Sequence, residues 1–222
     1  MHDSHRRRII DLSHCVGAST PPFPGDPPVE VRVLCSAAEP SKPGAPRINA
    51  TWLGASLHLG THMDAPLHFF KGSTAIDEVS LDTCMGPAVL IRIQPGSRGG
   101  EITAQDLVPF GAEIRRTRRV VLDTGWHHEW LKDGYFTDHP VLTGEAARFL
   151  VGCGVKLIGV DMPSVDRAPH DAHVEILGNG VLIVENLARL DEVPQGVFEL
   201  ACFPLLLSGL DGSPVRAVAW VS

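Results

Sequence analysis

Four short apolar runs rich in β-branched residues constrain the fold most: AVLIRI (88–93), RVVLD (119–123), VKLIGVD (155–161) and VLIVE (181–185). Each has the length and composition of a strand. The stretch AARFLVGCGVKLIGVD reads as helix, glycine turn and buried strand, and PHDAHVEILGNGVLIVE repeats that order. This is an α/β pattern. Thr143 opens TGEAARFLVGCG as a helix, and Thr103 with Asp106 three residues on has the form of a capping box. Residues 8–12 and 29–35 read as extended, the second alternating Val29, Val31, Val33 and Cys35 with Glu30 and Arg32. Between them PPFPGDPP is a rigid loop. VFELACFPLLLSGL and SPVRAVAWV read as two further strands joined by the turn GLDGSP, which predicts a mixed sheet.

No Ser/Gly linker, internal repeat or low-complexity tract divides the 222 residues. One domain is expected over 8–222, behind a mobile tail at 1–7. With 44% hydrophobic residues the chain can bury a real core. The net charge of -7 and the short basic runs, Arg6 to Arg8 and Arg115, Arg116, Arg118 and Arg119, argue against nucleic acid or an anionic membrane as partner. No apolar stretch approaches the roughly 18 to 20 residues of a membrane span, and the N-terminus lacks the apolar core of a secretory signal. A cytoplasmic location is expected. Five scattered cysteines without a C-x-x-C pair read as reduced and mostly buried, and none stands out as a catalytic thiol.

HLGTHMDAPLHFF (58–70) concentrates metal-capable side chains. Gly60 and Pro66 disfavour a helix, so the segment reads as a strand end entering a loop. His58, Gly60, His62 and Asp64 then share a parity and a face. A fully extended chain would hold the Cα atoms of His58 and His62 about 13 Å apart, too far for comfort when each imidazole must come within about 2 Å of one ion. A bend at Gly60 is therefore expected. Two imidazoles and a carboxylate suit zinc, manganese or iron(II), and three protein ligands leave a position open for water. His68, past the turn at Pro66, is placed to act as acid and base.

A second group follows: His170, Asp171, His173 and Glu175 in a short helical stretch, then Glu185 closing VLIVE. Burying an unpaired carboxylate is costly, so Glu185 needs a partner, and Arg189 or Arg216 would serve as well as a metal. Periodicity does not choose between His170 and His173. Asp161 and Asp166 in VDMPSVD could orient a ligating histidine, and Asp161 could equally cap a turn. His127 and His128 read as surface residues or as supports behind a ligand.

HLGTHMDAPLHF resembles the H-x-G-T/A-H-x-D-x-P-x-H-F signature of the cyclase family that includes bacterial kynurenine formamidases and isatin hydrolases. PPFPGDP, LIGVDMPSVD, DAHVEILGNGVLIVENL and GLDGSPVRAV resemble further segments of that family in the same order. The resemblance implies a compact single α/β domain of the swivelling β/β/α type with a mixed sheet, assembled as a homodimer or higher homo-oligomer. It implies His58, His62 and Asp64 on one metal, with Asp64 bridging to a second held by His173 and Glu185, and His68 as catalytic acid/base. Two zinc ions per subunit are expected, with manganese or another divalent cation as the alternative. Isatin hydrolases, by the same resemblance, use one manganese and lack the acid matching Glu185. Phe23 stands where formamidases tend to carry a substrate-contacting tryptophan, Met162 where a threonine is common, and Val174 where a second histidine often follows the ligand.

These expectations define an arylformamidase that hydrolyses N-formyl-L-kynurenine to kynurenine and formate. The alternative is a hydrolase opening a cyclic amide such as isatin, or a related imide or lactone. A non-catalytic metal-binding module fits less well, because a structural site is usually closed by four protein ligands. Phe23 is the candidate substrate contact, and Trp52, Phe69 and Phe70 belong either to an apolar wall beside it or to the core.

Overall fold

Side chains alternate across a strand, so an apolar run buried on both faces must serve two cores. Val89 and Ile91, Val120 and Leu122, and Ile158 and Val160 join one buried cluster, whereas Leu90, Val121 and Leu157 between or beside them join another. The computed structural model describes residues 8–38, 47–94 and 100–221. The segment expected to be a mobile tail lies outside the described residues.

The strands are β1 (Arg8–Asp11), β2 (Glu30–Cys35), β3 (Ala50–Gly54), β4 (His62–Asp64), β5 (Met85–Arg92) and β6 (Glu101–Ile102). They continue as β7 (Arg119–Asp123), β8 (Val141–Leu142), β9 (Leu157–Val160), β10 (Leu182–Glu185), β11 (Gly196–Pro204) and β12 (Gly212–Val221). The helices are α1 (Leu81–Cys84), α2 (Ala104–Leu107), α3 (Gly111–Thr117), α4 (Gly144–Gly152) and α5 (Asp171–Gly178). The main sheet runs β1-β12-β11-β5-β7-β9-β10-β4, and β4 also pairs with β12. Seven strands thus close into a ring, with β1 attached outside it along the far half of β12. Neighbours from β5 through β7 and β9 to β10 are parallel, and the remaining pairs of this sheet are antiparallel.

The cluster containing Leu90 takes a residue from every strand of the ring, among them Met63, Val121, Leu157, Val184, Leu200 and Ala217. The other cluster joins the opposite faces of β5, β7, β9 and β10 to Leu107, Ile114, Leu150 and Ile176 on the helices. Each fully buried side chain of this size contributes about 1.5 to 3 kcal/mol. Local signals agree with the packing: the Thr143 hydroxyl accepts from the Ala146 amide, and Thr103 with Asp106 forms the capping box at α2.

One alternating segment behaves differently from expectation. β2 pairs only with β3 in a separate hairpin, where Val31 and Val33 remain 42% and 72% exposed. Alternation there reflects a ribbon face that the described residues do not cover. Trp52 sits on this hairpin beneath the Arg32 guanidinium, 3.6 Å from the ring centre, and belongs neither to the site's wall nor to the core.

Candidate metal centre

The parallel strands β7, β9 and β10 end close to Asp123, Asp161 and Glu185, so three carboxylates gather at one end of the ring. β4 runs antiparallel to β10 and sets His62 opposite Glu185. The chain enters β4 through Gly60, whose φ of +61° supplies the expected bend. A Cβ there would also lie 2.6 Å from Val16 Cγ2. The Gly60 carbonyl accepts from His62 Nδ1 at 2.8 Å and from the Asn186 amide at 2.9 Å, and the Tyr135 hydroxyl donates to Asn186 Oδ1 at 2.6 Å. His62 Nδ1 therefore carries the proton of the neutral tautomer, leaving Nε2 as the donor atom.

His62 Nε2 is fully buried with no hydrogen-bond partner. It lies 3.4 Å from Asp64 Oδ1 and 3.4 Å from Glu185 Oε2. His173 Nε2 lies 3.5 Å from Glu185 Oε1 and 3.9 Å from Asp64 Oδ2. Donors about 2.1 Å from one tetrahedral cation stand about 3.4 Å apart. An orphaned buried nitrogen amid oxygens at that spacing fits a divalent metal. The donors form two triads, His58, His62 and Asp64, and Asp64, His173 and Glu185, with Asp64 common to both. His58 uses both nitrogens on carboxylates, Nδ1 on Asp64 at 2.7 Å and Nε2 on Asp211 at 3.0 Å, so binding a cation would replace one of these contacts.

The charges respond to this crowding. Burial disfavours a charged His62, but Asp64 and Glu185 outweigh it and lift the pKa to about 10. His173 rises likewise to about 10, burial being overcome by Asp166 and Glu185. Asp64 falls well below the usual carboxylate range because His58 and His62 overcome burial. Glu185 falls too, with burial and Asp64 opposing and His173 and His62 prevailing. Protons on the two imidazoles occupy the role that a cation would take. His68 goes the other way: burial lowers its pKa, and it is neutral near pH 7.

Supporting carboxylates fix the rings. Asp166 Oδ1 takes His173 Nδ1 at 2.6 Å, and its Oδ2 accepts the Ala172 and His173 amides at the start of α5. One residue thus caps the helix and orients the imidazole. Asp166→Asn keeps the volume but loses the charge and one amide acceptor, so cation affinity should drop about 10- to 100-fold in a competitive chelator titration. Unchanged affinity would separate Asp166 from the site. Asp161 instead accepts from Thr124 and meets His127.

The structure brings His58, His62, Asp64, His173, Glu185 and His68 together, with Phe23 on the wall of the same cavity of about 470 Å³. His173 rather than His170 reaches Asp64 and Glu185; His170 points Nδ1 at Asp166 and is half exposed. Arg189 and Arg216, the other partners open to Glu185, both turn to Asp11. Phe23 meets Phe136 edge-on at 5.7 Å, Phe69 stacks on His173 at 4.8 Å, and Trp130 completes the aromatic lining. Phe70 packs instead against the core and under Gly178. Asp211 has no forewarning in the sequence. It faces His58 and also His68 Nδ1, at 3.2 Å, because β12 pairs with β4 and sets Gly212 opposite Asp64. An aspartate in a strand-joining turn looks ordinary until that pairing is known.

Comparison with known proteins identifies the family and the fold. Residues 10–167 match the Cyclase family model. A kynurenine formamidase of Bordetella pertussis is 36% identical over 217 residues, which is 96% of this chain and 97% of the other. Isatin hydrolase A from Labrenzia aggregata, solved with benzyl benzoate, superposes with a TM-score of 0.85 at 24% identity over 97% of this chain and 94% of that one. A protein described as a predicted metal-dependent hydrolase, from Bacillus stearothermophilus, superposes with a TM-score of 0.77 at 23% identity over 96% and 98%. At these identities the two solved structures speak to the fold.

Proposed function

The chain belongs to the Cyclase family, and from that premise we propose that it is a metal-dependent amide hydrolase, an arylformamidase that converts N-formyl-L-kynurenine to L-kynurenine and formate. The observation that carries this reading is the orphaned, buried His62 Nε2 between Asp64 and Glu185, at the base of a cavity walled by aromatic rings. The full-length likeness to a kynurenine formamidase supports the substrate. His58, His62 and Asp64 would hold one divalent cation, and Asp64, His173 and Glu185 a second; zinc suits these donors best. A bound cation lowers the pKa of water toward about 7 and polarises the amide carbonyl.

The chain's own groups do the rest. Asp211 accepts His68 Nδ1–H and leaves Nε2 as the basic atom. Burial keeps His68 neutral near pH 7, so it can take a proton from the attacking water. The same imidazolium then protonates the departing nitrogen, without which an amine leaves poorly. Phe23, Phe136 and Trp130 provide faces and edges for an aniline ring. Phenylalanine at 23 stacks without an indole N–H to donate, which makes the wall less selective for hydrogen-bonding ring substituents. Steady-state assays on N-formyl-L-kynurenine and isatin side by side test the substrate: a higher kcat/KM for formylkynurenine supports the reading, and turnover of isatin alone would move it to ring opening.

We expect the subunits to assemble as a homodimer or higher homo-oligomer, and one domain over 8–222 to carry the whole site. Among the described residues no helix is long and apolar enough to cross a membrane.

A further inference from the structure

Behind Trp130, away from the candidate metal centre, lies a second cavity of about 560 Å³. His127 stands in its wall, 7% exposed. Its Nδ1 meets the fully buried Asp161 Oδ2 at 3.1 Å, and Asp161 is itself held by the Thr124 hydroxyl at 2.7 Å. A buried carboxylate accepting Nδ1–H fixes the tautomer and points the Nε2 lone pair outward, the arrangement that commonly stands behind a metal-bound histidine. Nε2 lies 3.3 Å from Asp191 Oδ1. The adjacent ring of His128 is centred 4.0 Å from that of His127. One ring nitrogen from each histidine and one carboxylate oxygen of Asp191 all lie within 4.8 Å of one another.

We propose that His127, His128 and Asp191 form a separate divalent-cation site, bridging the turn Trp126–Glu129 to the turn Leu190–Glu192. Competing cations in the same cavity are already engaged: Arg189 and Arg216 both pair with Asp11. His14 also lines this cavity and keeps Nε2 buried without a hydrogen-bond partner. Two imidazoles and one carboxylate select a borderline ion such as Zn²⁺, Ni²⁺ or Cu²⁺ over Ca²⁺ or Mg²⁺. The site lies behind Trp130, whose ring stacks on His14 at 4.1 Å and lines the candidate active-site cavity on its other side.

The test is equilibrium dialysis of the full chain against Zn²⁺, with metal per subunit read by mass spectrometry, for the wild type, Asp191→Asn and His128→Ala. Both substituted side chains are exposed, so folding should be preserved. Each variant should bind one equivalent less than the wild type, whatever number the active site holds, and should lose one Zn²⁺-dependent increment in Tm. Turnover of formylkynurenine should be unchanged. Equal stoichiometry in all three proteins would overturn the proposal, and so would loss of the equivalent together with loss of turnover, which would assign that ion to catalysis.

Discussion

In His68→Ala, kcat for formylkynurenine hydrolysis should fall by about 10²- to 10⁴-fold, the usual worth of a positioned acid/base, while metal content stays at the wild-type value. The separation follows from geometry. His68 contacts Asp211 and the ring of His58 but neither Asp64 nor Glu185, so removing it leaves the ligand oxygens in place. The Ala variant also leaves Asp211 with its His58 contact at 3.0 Å, which keeps the neighbouring ring oriented. Near wild-type turnover, measured by formate release, would remove His68 from the reaction. Loss of metal along with activity would make it a ligand instead.

Glu185→Gln should bind one equivalent of metal less than the wild type, lost from the triad of Asp64, His173 and Glu185. Glutamine matches the shape and can still accept the Val165 amide, which meets Glu185 Oε1 at 3.0 Å, so the fold should tolerate it. What it removes is the negative charge between His62 and His173. That charge helps raise both imidazole pKa values to about 10, and it would equally attract a cation. The triad of Asp64, His173 and Glu185 loses its second carboxylate, whereas His58, His62 and Asp64 stay complete. A metal content equal to that of the wild type would defeat the two-cation assignment.

Much of this arrangement is legible in the sequence where physics acts locally. The runs that become β5, β7, β9 and β10 announce themselves because strands buried on both faces must be apolar throughout. The need for a bend at Gly60 follows from strand geometry, and His62 and Asp64 share a parity on β4, while His58 sits before that bend, outside the strand. The rest depends on which strands meet. β4 has three residues, too few for any pattern, yet its pairing with both β10 and β12 closes the ring and brings Glu185 and Asp211 to the histidines. His170 and His173 lie at the same helix start and both meet Asp166, but His170 precedes α5 with a φ of +68° and stays half exposed, whereas His173 lies within the helix and turns Nε2 to Asp64 and Glu185. The alternation in β2 is equally real, but it marks the exposed hairpin and not the core.

The most direct test follows formate release from N-formyl-L-kynurenine by protein purified without chelator, then stripped of metal, then reloaded with Zn²⁺. Turnover is expected in the first state, with loss in the second and recovery in the third as zinc returns to the site. Turnover that survives complete removal of metal, or a fully zinc-loaded protein that releases no formate, would contradict it.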